Sequence, residues 1–145
     1  MFKHILLPTD FGTYSARATE LGIELAKTFD AALTLVHAYE FQAYTYESLA
    51  YVSQDLLGAI ETAARDQLDK TLASVRTKLP AAKSELRTGI PWQQILAAIE
   101  DTHADLVVMG THGRRGISHA LLGSVTEKIV RMSPVPVLTV RETSH

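Results

Sequence analysis

Short apolar, β-branched runs alternate with amphipathic helical periods along this 145-residue chain, and that alternation restricts it to one class of fold. The runs at His4–Pro8, Leu33–Ala38, Lys83–Arg87, Leu106–Met109 and Val137–Val140 each read as a strand bounded by turn residues. Four helical periods separate them. Ser15–Phe29 sets Ala18, Leu21, Leu25, Ala26 and Phe29 on one face, and Asp55–Leu79 does the same with Leu56, Ile60, Ala64, Leu68, Leu72, Val75 and Leu79. A third helix opens at Pro91, a residue suited to a first helical turn, with Trp92, Ile95, Leu96 and Ile99 on its apolar face. The fourth begins near Ser124, where Ser124 and Glu127 three residues later read as a capping box. Nearly continuous apolar strands joined by amphipathic helices imply an α/β fold, a doubly wound parallel sheet covered on both faces. In the expected strand order 3-2-1-4-5, a ligand sits beyond the carboxyl ends of the strands where the order reverses. The loops Thr9–Tyr14, Tyr39–Gln54 and Gly110–Gly123 are therefore the places to search.

Composition matters here for what it excludes. With 46% hydrophobic and 21% charged residues the chain has the usual globular mixture, and no repeat or linker interrupts it, so residues 1–145 are expected to form one domain. A formal charge of −2 supplies no long-range attraction for a polyanion, which argues against nucleic acid as a partner. The chain has no cysteine, which removes disulfides, thiolate metal sites and a cysteine nucleophile. No apolar run approaches the roughly 20 residues of a membrane span, and the opening residues lack the length of a signal h-region. A soluble cytoplasmic protein is expected, without membrane insertion.

The segment from Gly110 to Ser124 follows a strand directly and ends at a helix N-terminus; Gly110, Gly113, Gly123 and Ser124 fit the spacing G-x2-G-x9-G-S. Glycine lacks the Cβ that keeps backbone N–H groups away from an anion and tolerates positive φ, so such a loop can wrap a phosphate. The helix end adds free N–H groups and the positive end of a dipole. A bland alternative is a surface connection with turn glycines and Ser124 as a plain cap. Placement between strand and helix favours a phosphate cradle.

Several motifs at one spacing carry a family resemblance. The opening Ile5-Leu6-Leu7-Pro8-Thr9-Asp10, the step Gly89-Ile90-Pro91, the stretch Ala104–Gly110, the glycine loop and the ending Ser133-Pro134-Val135-Pro136-Val137-Leu138 together resemble the universal stress protein family over essentially the whole chain. The resemblance implies a Rossmann-like fold akin to the adenine nucleotide α-hydrolases, and it implies ATP binding, since family members with this glycine pattern bind ATP. It further implies that Asp10 and the strand end Val36, His37 and Ala38 meet the adenine, that Pro8, Thr9 and Gly110 flank the ribose, and that Met109 lines the same cleft. Gly113, Gly123, Ser124, Val125 and Thr126 would hold the phosphates. A homodimer through the last strand is implied as well, by Val135, Val137, Leu138 and Val140.

The residues themselves leave some roles open. Asp10 could bond a base or ribose, or simply cap the next helix. Arg114 could reach a γ-phosphate or be solvated loop charge, and His112 and His119 are polar loop groups that could lie near the phosphate, His112 as a nucleotide contact, since their spacing is no metal-ligand pattern. His37 reads as a satisfied polar group at a strand edge. Tyr39, Phe41, Tyr44, Tyr46 and Tyr51 could lid a base, but stapling a long loop to the body is the simpler role. No Walker G-x4-G-K-[ST] and no G-x-G-x-x-G after the first strand are present. The expectation is a regulatory protein binding ATP, with ADP or AMP as alternatives and magnesium accompanying the nucleotide, that has no catalytic residues and little turnover. Slow ATP hydrolysis or self-phosphorylation, and a nucleotide-independent interaction module with an unknown protein partner, are the competing expectations.

Overall fold

The computed structural model describes residues 1–40, 54–112 and 122–141. Strand β1 (His4–Pro8) is followed by helix α1 (Thr13–Phe29), β2 (Ala32–Tyr39), α2 (Gln54–Arg76), β3 (Lys83–Thr88), α3 (Pro91–Thr102), β4 (Leu106–Gly110), α4 (Ser124–Met132) and β5 (Val137–Val140). All pairings are parallel, as the alternation of elements predicts, and the order is β3-β2-β1-β4-β5, the one expected. Strand β1 is central. It pairs with β2 from His4↔Ala32 to Pro8↔Val36 and with β4 at Ile5↔Leu106 and Leu6↔Val107.

Side chains of a strand alternate between faces, and the core divides accordingly. Ile5, Leu7, Leu33, Leu35 and Val108 pack with Ala18, Ile23 and Ala26 of α1 and Leu68, Leu72 and Val75 of α2. Leu6, Val36, Val107 and Met109 pack with Ile95, Ala98 and Ile99 of α3 and Ile129 of α4. A fully buried Leu or Val side chain contributes roughly 1.5–3 kcal/mol, so Leu6, Leu7, Leu35 and Val107, all without solvent exposure, fix the register strongly. A slip by one residue would exchange the two faces.

Three local readings differ from the sequence expectation. Ser124 does not cap α4: Gly123 is the N-cap and no side-chain cap bond is made, so the capping-box reading of Ser124 and Glu127 fails. The chain enters the helix one residue earlier because the Gly123 N–H is already held by the Thr111 carbonyl at 2.7 Å. Helix α2 stops at Arg76, whose Nε donates to the Ala82 carbonyl at 2.8 Å while Leu79 N–H returns to the Val75 carbonyl. Leu79 thus packs on the core from a turn. Leu56, placed on the apolar face of α2 by periodicity, is half exposed.

The N-terminus is tied down by Asp105, whose carboxylate accepts N–H bonds from Lys3 at 2.9 Å and His4 at 3.0 Å. Desolvation opposes the charge there, but the backbone N–H groups outweigh it and hold the Asp105 carboxyl below its ordinary value. His4 shifts for another reason. Burial disfavours its charged form more than the Thr102 carbonyl and the Asp105 charge favour it, so its imidazole lies below the ordinary value of about 6.5. The unfolded chain therefore takes up this proton more readily, and the His4 contribution is intact above about pH 6.5 and is lost as pH falls through the lowered value. Wild type should lose more stability than His4→Gln between pH 7.5 and 5, read as unfolding midpoints; parallel pH profiles would refute this. The Asp105 contribution is lost only at lower pH, below the ordinary carboxylate range of about 3.9.

Candidate functional site

The loop leaving β1 is held by its own side chains. Thr9 N–H extends the ladder to the Val36 carbonyl at 2.9 Å. Phe11 then takes φ 67°, a left-handed conformation unusual for a bulky residue. Short polar contacts hold it there: Phe11 N–H donates to Thr9 Oγ1 at 3.1 Å, and Gly12 N–H donates to Asp10 Oδ1 at 2.9 Å. Ser15 Oγ donates to the same Asp10 oxygen at 2.7 Å and accepts the Asp10 N–H at 3.2 Å. The Phe11 ring lies 4.4 Å from that of His37, whose Nδ1 is 2.7 Å from the Thr9 carbonyl.

Across the reversal point, β4 ends against the start of α1. Gly110 is there because a Cβ would fall 2.7 Å from Tyr14 Cβ and 3.0 Å from Tyr14 backbone atoms. Thr126 Oγ1, buried, donates to the Gly110 carbonyl at 2.9 Å, and Gly123 N–H donates to the Thr111 carbonyl. These two bonds join β4 to the first turn of α4. Within that turn the N–H of Glu127 is the first to find a helical acceptor, the Gly123 carbonyl. The N–H groups of Ser124, Val125 and Thr126 precede it and have no such acceptor, which leaves a concentration of donors at the positive end of the helix.

Between these elements lies a cleft of about 330 Å³, a size typical of small-molecule sites. Pro8, Val36, Ala38, Met109, Pro91 and Ile95 form its apolar walls; Thr9, Asp10, Ser15 and His112 bring polar groups; and Gly110 with Leu122–Thr126 closes the α4 end. The sequence candidates Pro8, Thr9, Asp10, Val36, Ala38, Met109, Gly110, His112, Gly123, Ser124, Val125 and Thr126 are thus brought together around one space. His37 is not among the lining residues, because strand alternation turns it to the other face, onto Phe11. Gly113, Arg114, His119 and the aromatic stretch from Phe41 to Tyr51 lie outside the described residues. Ser15, Pro91, Ile95 and Leu122 line the cleft without having been singled out for it. Pro91 and Ile95 read as helix start and core, and nothing in their spacing separates a core face from a cleft wall one turn above it. Among the described residues no group of three or more His, Asp or Glu side chains is placed to hold a metal ion.

The universal stress protein family matches residues 1–141. The chain belongs to the universal stress protein family. A universal stress protein of Methanocaldococcus jannaschii is 32% identical over 145 residues, covering 98% of this chain and 84% of that one. Among solved structures, the universal stress protein UspA from Lactobacillus plantarum superposes with a TM-score of 0.85 at 28% identity, covering 96% and 97% of the two chains. A universal stress protein solved in complex with cAMP shares the fold, with a TM-score of 0.74 at 23% identity and coverage of 99% of both chains.

In this universal stress protein the last strand occupies an edge of the sheet, where β4 is its one partner among the described strands. The residues suggested for a dimer contact are divided. Val140 is buried in the chain's own core, Val135 and Val137 pack against the second cluster, and Leu138 is 38% exposed. No described helix is long and apolar enough to cross a membrane.

Proposed function

We propose that the cleft binds an adenine nucleotide, with ATP its first candidate and ADP or AMP acceptable to the same backbone donors, and that occupancy serves a regulatory, stress-response role in the cytoplasm. The observation that carries this is the juxtaposition, at the switch point of the sheet, of an apolar-walled cleft with the donor-rich first turn of α4. Pro8, Val36, Ala38, Ile95 and Met109 suit a planar base; the N–H groups of Ser124, Val125 and Thr126 suit phosphate oxygens. The cAMP-bound relative supports the choice of adenine. Backbone donors discriminate poorly among phosphate counts.

Occupancy without rapid turnover fits the side chains better than catalysis does. Asp10 is the one carboxylate that a described residue brings to the cleft, whereas efficient phosphoryl transfer depends on several groups that hold metal and orient the nucleophile. Magnesium is accordingly proposed to arrive with ATP. Titration calorimetry with ATP, ADP and AMP, with and without magnesium, should give a dissociation constant in the micromolar range, about −8 kcal/mol. Hydrolysis by the same preparation should fall far below the roughly 1–100 s⁻¹ of kinases. No heat with any of the three nucleotides at about 0.1 mM protein, far above a micromolar constant, would refute the reading.

We also propose a homodimer through β5. An edge strand leaves N–H and C=O groups able to pair with a second copy about a two-fold axis, and the prolines at 134 and 136 precede β5 without interrupting it. With Val140 turned inward, the contact would rest on the backbone edge and the exposed Leu138. Light scattering should report a dimer for wild type and a monomer for Leu138→Lys; a monomeric wild type at about 50 µM would remove the proposal, since a micromolar dimer is populated there.

A further inference from the structure

Ser15 is buried, with 6% exposure, in the first turn of α1, and its hydroxyl is committed twice to one neighbour. It donates to Asp10 Oδ1 at 2.7 Å and accepts the Asp10 N–H at 3.2 Å. Gly12 N–H supplies a second donor to the same Oδ1 at 2.9 Å. All hydrogen bonds that Asp10 accepts from described residues end on that one oxygen, so Oδ2 accepts none from them while the residue lines the cleft. A carboxylate on a loop would ordinarily sample several rotamers and lose part of its binding strength on being fixed. Here the fixing is done in advance by Ser15 and Gly12. The remaining oxygen is a preset acceptor for one donor on a ligand, a hydroxyl or an exocyclic amine, and a charge-assisted bond to such a donor is stronger than a neutral one.

Building on the nucleotide reading above, we propose that Ser15 is a positioning residue that holds Asp10 as a one-oxygen acceptor for a ribose hydroxyl or the amino group of the base. It acts through Asp10 without itself contributing the recognition contact. The pairing spans five residues and crosses the left-handed Phe11, so it also explains why that conformation is worth holding: a right-handed residue 11 would turn α1 and carry Ser15 away from Asp10.

A double-mutant cycle on the intact protein tests this, with ATP as titrant and calorimetry as readout. Ser15→Ala should weaken ATP binding about tenfold, which is about 1.4 kcal/mol, and Asp10→Ala should weaken it by at least as much. In the Asp10→Ala background, Ser15→Ala should have less than a twofold further effect, because the residue it positions is gone. Ser15→Thr keeps the hydroxyl and should bind within threefold of wild type. Equal tenfold losses from Ser15→Ala in both backgrounds, or no loss in either, would overturn the proposal while leaving the nucleotide reading intact. A wild type that binds no nucleotide would overturn both. If the alanine variant does not fold, Ser15→Cys, close in volume with a weaker donor, takes its place in the cycle and is judged by the same ratios.

Discussion

Gly123→Val is expected to weaken ATP binding at least a hundredfold and to leave the unfolding midpoint within about 5 °C of wild type. Gly123 is the N-cap of α4 with φ −68° and ψ 164°, extended values that valine adopts readily, so the backbone has no reason to refuse the side chain. Of the two reasons a glycine loop can wrap a phosphate, positive φ therefore does not apply at this position. What remains is space: the residue lines the cleft beside the donors of Ser124 and Val125, where the proposed phosphates would lie. Loss of a favourable N-cap costs about 1 kcal/mol, or roughly 4 °C for a domain of this size, which sets the tolerance on the midpoint. Calorimetry with ATP and a thermal melt of the same sample decide it. Binding retained within threefold would remove Gly123 from the phosphate site, and a collapse of the melt would make its role structural.

Gly110→Ala is expected to do the opposite and damage the fold. Its new Cβ would lie 2.7 Å from Tyr14 Cβ and 3.0 Å from the Tyr14 carbonyl carbon and oxygen, and the backbone atoms there belong to the first turn of α1. That turn is held by the Ala16-to-Gly12 backbone bond and by the Asp10–Ser15 pair, so it yields little. Overpacking of this kind costs about 1–3 kcal/mol, which lowers the midpoint by roughly 4–12 °C. An alanine variant that melts with wild type would show that α1 shifts freely and that the contact is slack. The two glycines thus separate two reasons for having no side chain, one for a ligand and one for a neighbouring helix.

The fold was legible because its determinants are periodic. Leu6 and Leu7 point to opposite faces and both are fully buried, as a sheet covered by helices on both sides requires, whereas the strand order is the one expected for this type of doubly wound sheet and is not encoded in any single strand. The cleft was legible at Gly110 and Gly123, where the glycine spacing marks it, and at Pro8 and Thr9 through the family resemblance alone. It was not legible at Pro91 and Ile95, whose apolar side chains look the same whether they meet protein or ligand. His37 shows a different limit. Its place at the end of β2 was clear, but which face it takes depends on a register set by Leu35 and Val36, and a change of one residue reverses it. The Ser124 capping box failed for a tertiary reason, the bond from Gly123 to Thr111, which no local pattern encodes.

That bond and the one from Thr126 to the Gly110 carbonyl have a consequence for how this site can diversify. They weld the two flanks of residues 112–122 together at the base, using groups outside the segment's middle. The closure entropy of the segment then depends only weakly on its length, about 0.6 kcal/mol for each doubling. Residues can be added, removed or exchanged between the flanks at small thermodynamic penalty, while β4, α4 and the core beneath them keep their positions. The stretch between the two flanks is in this sense a replaceable cartridge. One scaffold can trial new ligand chemistries there without reopening the question of whether it folds.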